Sequence, residues 1–227
     1  KEFVQERWAK DEGNLYKEIW PVYDEAWNYE HALKTNESEP DVAGMMDFAA
    51  AVLASTEESF VDDVSPYMDT GQMAWYIAVA RGIADDDGIM RFWCVGEDDS
   101  SCINHNYYWY DDPAGLFELI PWDMETTFYD KKTAEIMAPE WWALPESCDP
   151  IPYYIWEGIE EPGPNDLTPL VPPPCDPIIG RAVRSHPYAY LEGLADVAAA
   201  MEVSLANIAV YKARIAAAME ADPRLWH

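Results

Sequence analysis

Residues 106–121 constrain the fold more than any other stretch of the chain. They read Asn106-Tyr107-Tyr108-Trp109-Tyr110, then Asp111-Asp112-Pro113-Ala114-Gly115, then Leu116-Phe117-Glu118-Leu119-Ile120-Pro121. Aromatic runs favour strands. Between them, proline presets φ and glycine permits positive φ, which makes a turn. The pattern predicts a β-hairpin with strands over Asn106–Tyr110 and Leu116–Pro121, centred near Ala114. Asn106 lies eight residues before that centre and Asp123 nine after it. Positions equidistant from a hairpin centre face each other, so this carboxamide and this carboxylate are expected together at the open end. Both are hard oxygen donors of the kind a divalent cation takes. Glu125, two residues further on, shares the direction of Asp123 along an extended chain.

The chain before the hairpin supplies further acid. Asp69-Thr70-Gly71 precedes an amphipathic helix expected over Gln72–Ala84, with Met73, Tyr76, Ile77, Ala80 and Ile83 on its apolar face. Asp85-Asp86-Asp87-Gly88 ends it, and an acidic loop follows. The order is therefore helix, acidic loop, Asn, hairpin, Asp. Protein kinases use that order in their C-terminal lobe: an Asp accepts the substrate hydroxyl proton, and an Asn and a second Asp hold Mg²⁺ on the nucleotide phosphates. Such residues are also ordinary turn formers, so the order alone fits a purely structural role as well.

Elsewhere, strands are expected at Leu15–Trp20 and Trp27–Leu33, and helices at Val42–Ser55 and Phe60–Val64. Met45, Phe48, Ala49, Val52 and Leu53 mark the face of the longer helix. Residues 138–177 carry eleven prolines and are expected to be an irregular, aromatic-rich loop packed on the domain. Two amphipathic helices are expected over Pro187–Glu202, with Leu191, Leu194, Ala198 and Met201 as its face, and over Ser204–Ala221. The four cysteines pair by spacing as Cys94 with Cys102 and Cys148 with Cys175. Neither spacing is that of a zinc or thioredoxin motif, and two disulfides point to an oxidising compartment.

Charge narrows the function. Fourteen Lys and Arg stand against 43 Asp and Glu, for a net charge of -29. Nucleic-acid binding through a basic surface is excluded, and an anionic membrane repels the chain. No apolar run is long enough for a transmembrane helix, so no membrane insertion is expected. With 49% apolar residues the chain has material for a sizeable core. No G-x-S-x-G, P-loop or zinc triad is present.

Asn104-His105-Asn106-Tyr107-Tyr108-Trp109-Tyr110, Asp112-Pro113, Ile120-Pro121-Trp122-Asp123 and Thr127-Phe128 together resemble the signature of the CotH family of spore-coat, kinase-like proteins. Gly13-Asn14-Leu15-Tyr16-Lys17 and Leu33-Lys34-Thr35-Asn36-Glu37 resemble two further segments of that family, in the family's order. The resemblance spans roughly residues 3–130, with a weaker echo in the last two helices.

The resemblance implies an α+β, atypical protein-kinase-like fold. It would be mostly the helical C-terminal lobe, with a short β-hairpin at the metal site, and residues 1–227 would form a single domain. Because the chain starts at Lys1 inside an amphipathic stretch, an upstream part is expected to be missing. Carried over residue by residue, Asp87 matches the catalytic Asp, Asp123 the metal-binding Asp and Asn106 a second metal ligand.

The sequence departs from the family in three places. Glu125 stands where the family has a second Asp. Asp86 replaces the usual Trp, which leaves Asp85 and Asp86 as alternatives for the base. The loop from Asp87 to Asn106 is longer and carries the cysteine pair. A phosphate-pairing lysine is not identifiable: Lys17 is a candidate by default, and a surface lysine is its plainer reading.

The implied activity is transfer of the γ-phosphoryl group of ATP, with Mg²⁺ or Mn²⁺, to Ser or Thr of a secreted or surface protein. A non-catalytic surface or adhesion module that keeps the fold is the alternative, and a structural Ca²⁺ site in the acidic loop is a third reading.

Overall fold

The computed structural model describes residues 12–85, 87–94, 102–113, 115–124 and 169–208, with short pieces at 127, 143, 146–149, 151–152, 161 and 210. Its strands are β1 (Asn14–Lys17), β2 (Phe92–Cys94), β3 (Cys102–Ile103), β4 (Tyr107–Asp111), β5 (Phe117–Pro121), β6 (Ile151–Pro152) and β7 (Pro169–Val171). Its helices are α1 (Ala26–Ala32), α2 (Ala43–Ala54), α3 (Phe60–Val64), α4 (Thr70–Gly82), α5 (Ile179–Ser185) and α6 (Pro187–Ala206). The architecture is α+β, kinase-like in its mixture of helices with small antiparallel sheets.

One sheet has the order β1-β4-β5, the other β3-β2-β7-β6. The hairpin forms in the expected register: Tyr107 faces Pro121 and Asp111 faces Phe117. β1 adds antiparallel on the other side of β4, with Lys17 opposite Tyr108. Gly13 fits there because it has no side chain. A Cβ would lie 2.2 Å from the Asp111 carbonyl oxygen and 2.7 Å from the Tyr110 ring. The segment after α1 clasps β1 from outside: Leu15 N donates to Thr35 Oγ1 (2.9 Å), Lys34 N to Leu15 O (2.8 Å) and Asn36 Nδ2 to Asn14 Oδ1 (2.9 Å). The Gly13–Lys17 and Leu33–Glu37 motifs are thus one hydrogen-bonded unit.

The helices cover the sheet. Phe48 of α2 stacks on Phe117 (5.1 Å between centroids) and Tyr67 (5.8 Å) and meets the edge of Trp109. Met45, Phe48, Ala49 and Val52 are buried as expected, but Leu53 is exposed. Asp69 caps α4, accepting Gln72 N at 2.8 Å. Met73, Ile77 and Ala80 of α4 are buried.

Other expectations are corrected. Trp27–Leu33 is helical up to Ala32, not a strand. Ala26, Tyr29 and Ala32 are three residues apart and share the inward face, while Trp27 is exposed. The inward face of α6 is Tyr190, Gly193 and Val197. Leu191 of the expected face is exposed. Gly193 sets this rotation: a Cβ there would meet Trp75 O at 2.7 Å and Ala78 Cβ at 2.8 Å, so the helices touch backbone to backbone. α6 runs on through Ser204–Ala206, and most of the further helix expected to Ala221 lies outside the described residues.

The proline-rich segment is not wholly irregular. β7 pairs with both β2 and β6, and a 3-10 turn spans Pro173–Cys175. Pro152 and Pro169 face each other at the strand ends, where a missing N–H costs least. The aromatic residues of that loop lie outside the described residues. Both expected disulfides form, Cys94–Cys102 across β2 and β3 and Cys148–Cys175.

Two polar groups fix α5. Arg184 donates to both oxygens of Glu57, at 2.7 and 2.5 Å, and this hydrogen-bonded guanidinium holds the Glu57 carboxyl below its ordinary range. Asp176 is buried and accepts from Trp20 Nε1 (2.9 Å), Ile178 N (2.9 Å) and Ile179 N (2.7 Å). Burial pushes its carboxyl up from 3.8 to about 6, against the pull of those donors and of Arg181. The unfolded carboxyl therefore loses its proton first. Its contribution is fully present below pH 3.8 and is lost as pH rises through about 6, by roughly 3 kcal/mol in all. Asp176→Asn cannot titrate. The unfolding free energy of the wild type minus that of the variant is expected to fall by roughly 2–3 kcal/mol from about pH 4 to pH 7. Chemical denaturation at several pH values reads this difference, and a pH-independent difference contradicts it.

Candidate functional site

Three elements end together. β1 runs out at Lys17, β4 begins at Tyr107 and β5 ends at Pro121. Three of the described non-glycine residues with positive φ sit at this one end: Glu18 (51°), Asn106 (61°) and Asp123 (52°). Left-handed backbone is unfavourable for side chains beyond Asn and Asp, and such residues concentrate where a side chain must be aimed.

Trp122 N donates to Asn106 O at 3.1 Å, so the hairpin pairing runs one step past the strands. It leaves Asp123 directly beyond, exposed to solvent. Asn106 is turned toward the α4 terminus: its Nδ2 donates to the Asp87 carbonyl (2.9 Å) and to Asp87 Oδ2 (3.0 Å). The side-chain amide thus ties the acidic loop to the hairpin. Its Nδ2 is committed to Asp87, so Oδ1 is the atom that would serve a cation.

The triad from the sequence separates in detail. Asp87 and Asn106 are in direct contact. Asp123 shares their end of the sheet through the hairpin register. Asp85, an alternative for the base, is buried, and its Oδ2 lies where a Cβ on Gly88 would come within 2.2 Å. Asp86 and Glu125 lie outside the described residues, as does Phe128 of the Thr-Phe pair.

Sequence reasoning passed over Glu18. Its N–H donates to Tyr107 O (3.2 Å), and its Oε1 accepts from Asn106 N (3.3 Å). The signal was its place directly after Lys17. Lys17 itself belongs to this end: its ammonium is 4.8 Å from the centroid of Trp122 and 3.8 Å from Glu18 Oε2. It is not an isolated surface lysine.

Among the described residues no three His, Cys, Asp or Glu side chains gather as a ready-made metal cage. That is compatible with Mg²⁺ or Mn²⁺ carried by a nucleotide. Mg²⁺ keeps several waters and takes one or two carboxylates plus substrate phosphates rather than a full protein shell. The donor set here, an amide oxygen and a carboxylate beside a second carboxylate, is hard oxygen throughout and fits such an ion.

A family model described as CotH kinase protein matches residues 1–157. The match contains β1, α1 to α4, the hairpin and every candidate site residue. No curated protein matches the chain.

Proposed function

Because the chain belongs to the CotH kinase family, we propose that it is a metal-dependent protein kinase whose site is the open end of the β4–β5 hairpin. The observation that carries this reading is the double hydrogen bond from Asn106 Nδ2 to Asp87. It sets the candidate base and a candidate metal ligand side by side, with Asp123 closing the same end.

In this reading Asn106 and Asp123 would hold Mg²⁺ or Mn²⁺, which would supply charge neutralisation for the ATP phosphates. Asp87 accepts the proton of a Ser or Thr hydroxyl. The freed oxygen attacks the γ-phosphorus, the bond to the β-phosphate oxygen breaks, and ADP leaves. Lys17 brings a positive charge to the same end, and Glu18 fixes the Asn106 backbone. The acceptor is a secreted or surface protein of the spore-coat kind. The two disulfides support an extracytoplasmic setting, and among the described residues no helix is long and apolar enough to cross a membrane. Residues 1–227 act as one domain.

A second reading is a non-catalytic surface module on the same fold. It is favoured by the two disulfides and by the excess of 43 Asp and Glu over 14 Lys and Arg.

A thermal shift separates the two. With ATP at about 100-fold its Kd, binding adds roughly 2.7 kcal/mol, a rise of about 5–10 °C for a chain of this size. The kinase reading expects that rise only when ATP and Mg²⁺ or Mn²⁺ are both present. No shift from a well-folded sample favours the binding module.

A further inference from the structure

β5 is an edge strand: among the described residues only β4 pairs with it. Asp112 N bonds Leu116 O, and Trp122 N bonds Asn106 O. The even-numbered residues of the strand therefore turn their backbone groups toward β4, and the odd-numbered ones turn theirs outward. Phe117 N spends its outward donor on Tyr67 O, at 2.7 Å. The N–H and C=O of Leu119 and the C=O of Pro121 have no partner among the described residues.

This open edge forms one wall of a groove of about 450 Å³, and the first turns of α4 form the other. That volume is within the range of ligand-holding clefts. Met73, Trp75 and Tyr76 supply apolar lining, and Asp69 and Glu118 supply acid. Two wall residues carry buried polar atoms with no hydrogen-bond partner, Tyr76 Oη and Trp109 Nε1. Native proteins rarely leave such groups unmet.

An exposed edge, an apolar floor, unmet hydrogen-bonding groups and acidic flanks define one kind of occupant. We infer that this groove binds an extended, lysine- or arginine-bearing peptide of a partner protein, added antiparallel or parallel to β5 as a further strand. Strand addition takes affinity from the main chain and specificity from side-chain pockets. Here the free groups at Leu119 would supply the first, and the Met73 and Trp75 lining with its acidic flanks the second. The excess of 43 acidic over 14 basic residues steers a basic segment toward this surface. Pro121 ends both the groove wall and the strand that leads to Asp123, so a docked peptide lies beside the hairpin's open end. Docking itself needs no phosphoryl transfer.

Calorimetric titration of the chain tests this without nucleotide or metal, so its outcome is separate from that of the kinase reading. The probes are the blocked hexapeptide Thr-Lys-Val-Lys-Val-Thr, the same peptide with Glu for Lys, and the Lys peptide N-methylated at alternate amides. The Lys peptide is expected to bind about tenfold or more tightly than the Glu peptide at low salt. N-methylation should cost a similar factor in one of its two registers, because it removes the main-chain donors. Glu118→Lys, a change at a half-buried strand position, should narrow or reverse the charge preference. No binding of the Lys peptide at about 1 mM, equal affinity for both charges, or indifference to N-methylation in both registers overturns the inference.

Discussion

Replacing Asp87 with Asn is expected to slow phosphoryl transfer by roughly 100- to 10,000-fold while ATP and metal still bind. The substitution keeps the shape of the side chain and an oxygen to accept the Asn106 amide hydrogen bond, so the acidic loop stays tied to the hairpin. What is lost is a group that can take a proton at the moment of attack. A general base contributes to the transition state and little to ground-state binding, so the effect falls on kcat. Labelled γ-phosphate transfer to a Ser- and Thr-bearing protein acceptor measures it, with the thermal shift as the control for binding. An unchanged rate removes Asp87 from the role. Asp85, which is buried, and Asp86 would then be the residues to vary.

The second large effect is on stability. Phe48→Ala should cost about 3–5 kcal/mol and lower Tm by about 6–20 °C. Phe48 is fully buried and packs against Phe117, Tyr67 and Trp109 at once. It is the residue through which α2 grips both strands of the hairpin. The ring contacts add to its area burial. Calorimetry reads the loss directly. A fall of less than about 2 °C, the scale of a surface change, would mean that the hairpin is held mainly by β1 and α4. Because the proposed site sits at the hairpin's open end, the variant should also show a weaker nucleotide-dependent shift.

The hairpin was legible in the sequence because its signals are local. A Pro-Ala-Gly turn between aromatic strands fixes both type and register, and the register alone placed Asn106 near Asp123. The Asp87–Asn106 contact was legible only as an order of residues, because its geometry depends on how α4 ends against the sheet.

What was missed depends on tertiary contact. The segment at Trp27 has the aromatic content of a strand, but Ala26, Tyr29 and Ala32 face β1 and α2 at helical spacing. The face of α6 is set by Gly193 meeting the backbone of Trp75, and no apolar periodicity encodes that. Glu18 carries no motif of its own; its role comes from β1 pairing with β4, a contact between residues far apart in sequence. Lys17 is held at the same end of the sheet by its contact with Trp122.

The most direct test of a metal–nucleotide site at this hairpin end is Mn²⁺ binding, followed by electron paramagnetic resonance in the presence of ATP, in the wild type and in Asp123→Ala. Asp123 is exposed and follows the strand, so the substitution leaves the fold intact. The account predicts that the wild type holds Mn²⁺ with ATP and that Asp123→Ala loses this binding while its Tm without ligand is unchanged. Equal Mn²⁺ and ATP binding by the two proteins would contradict it.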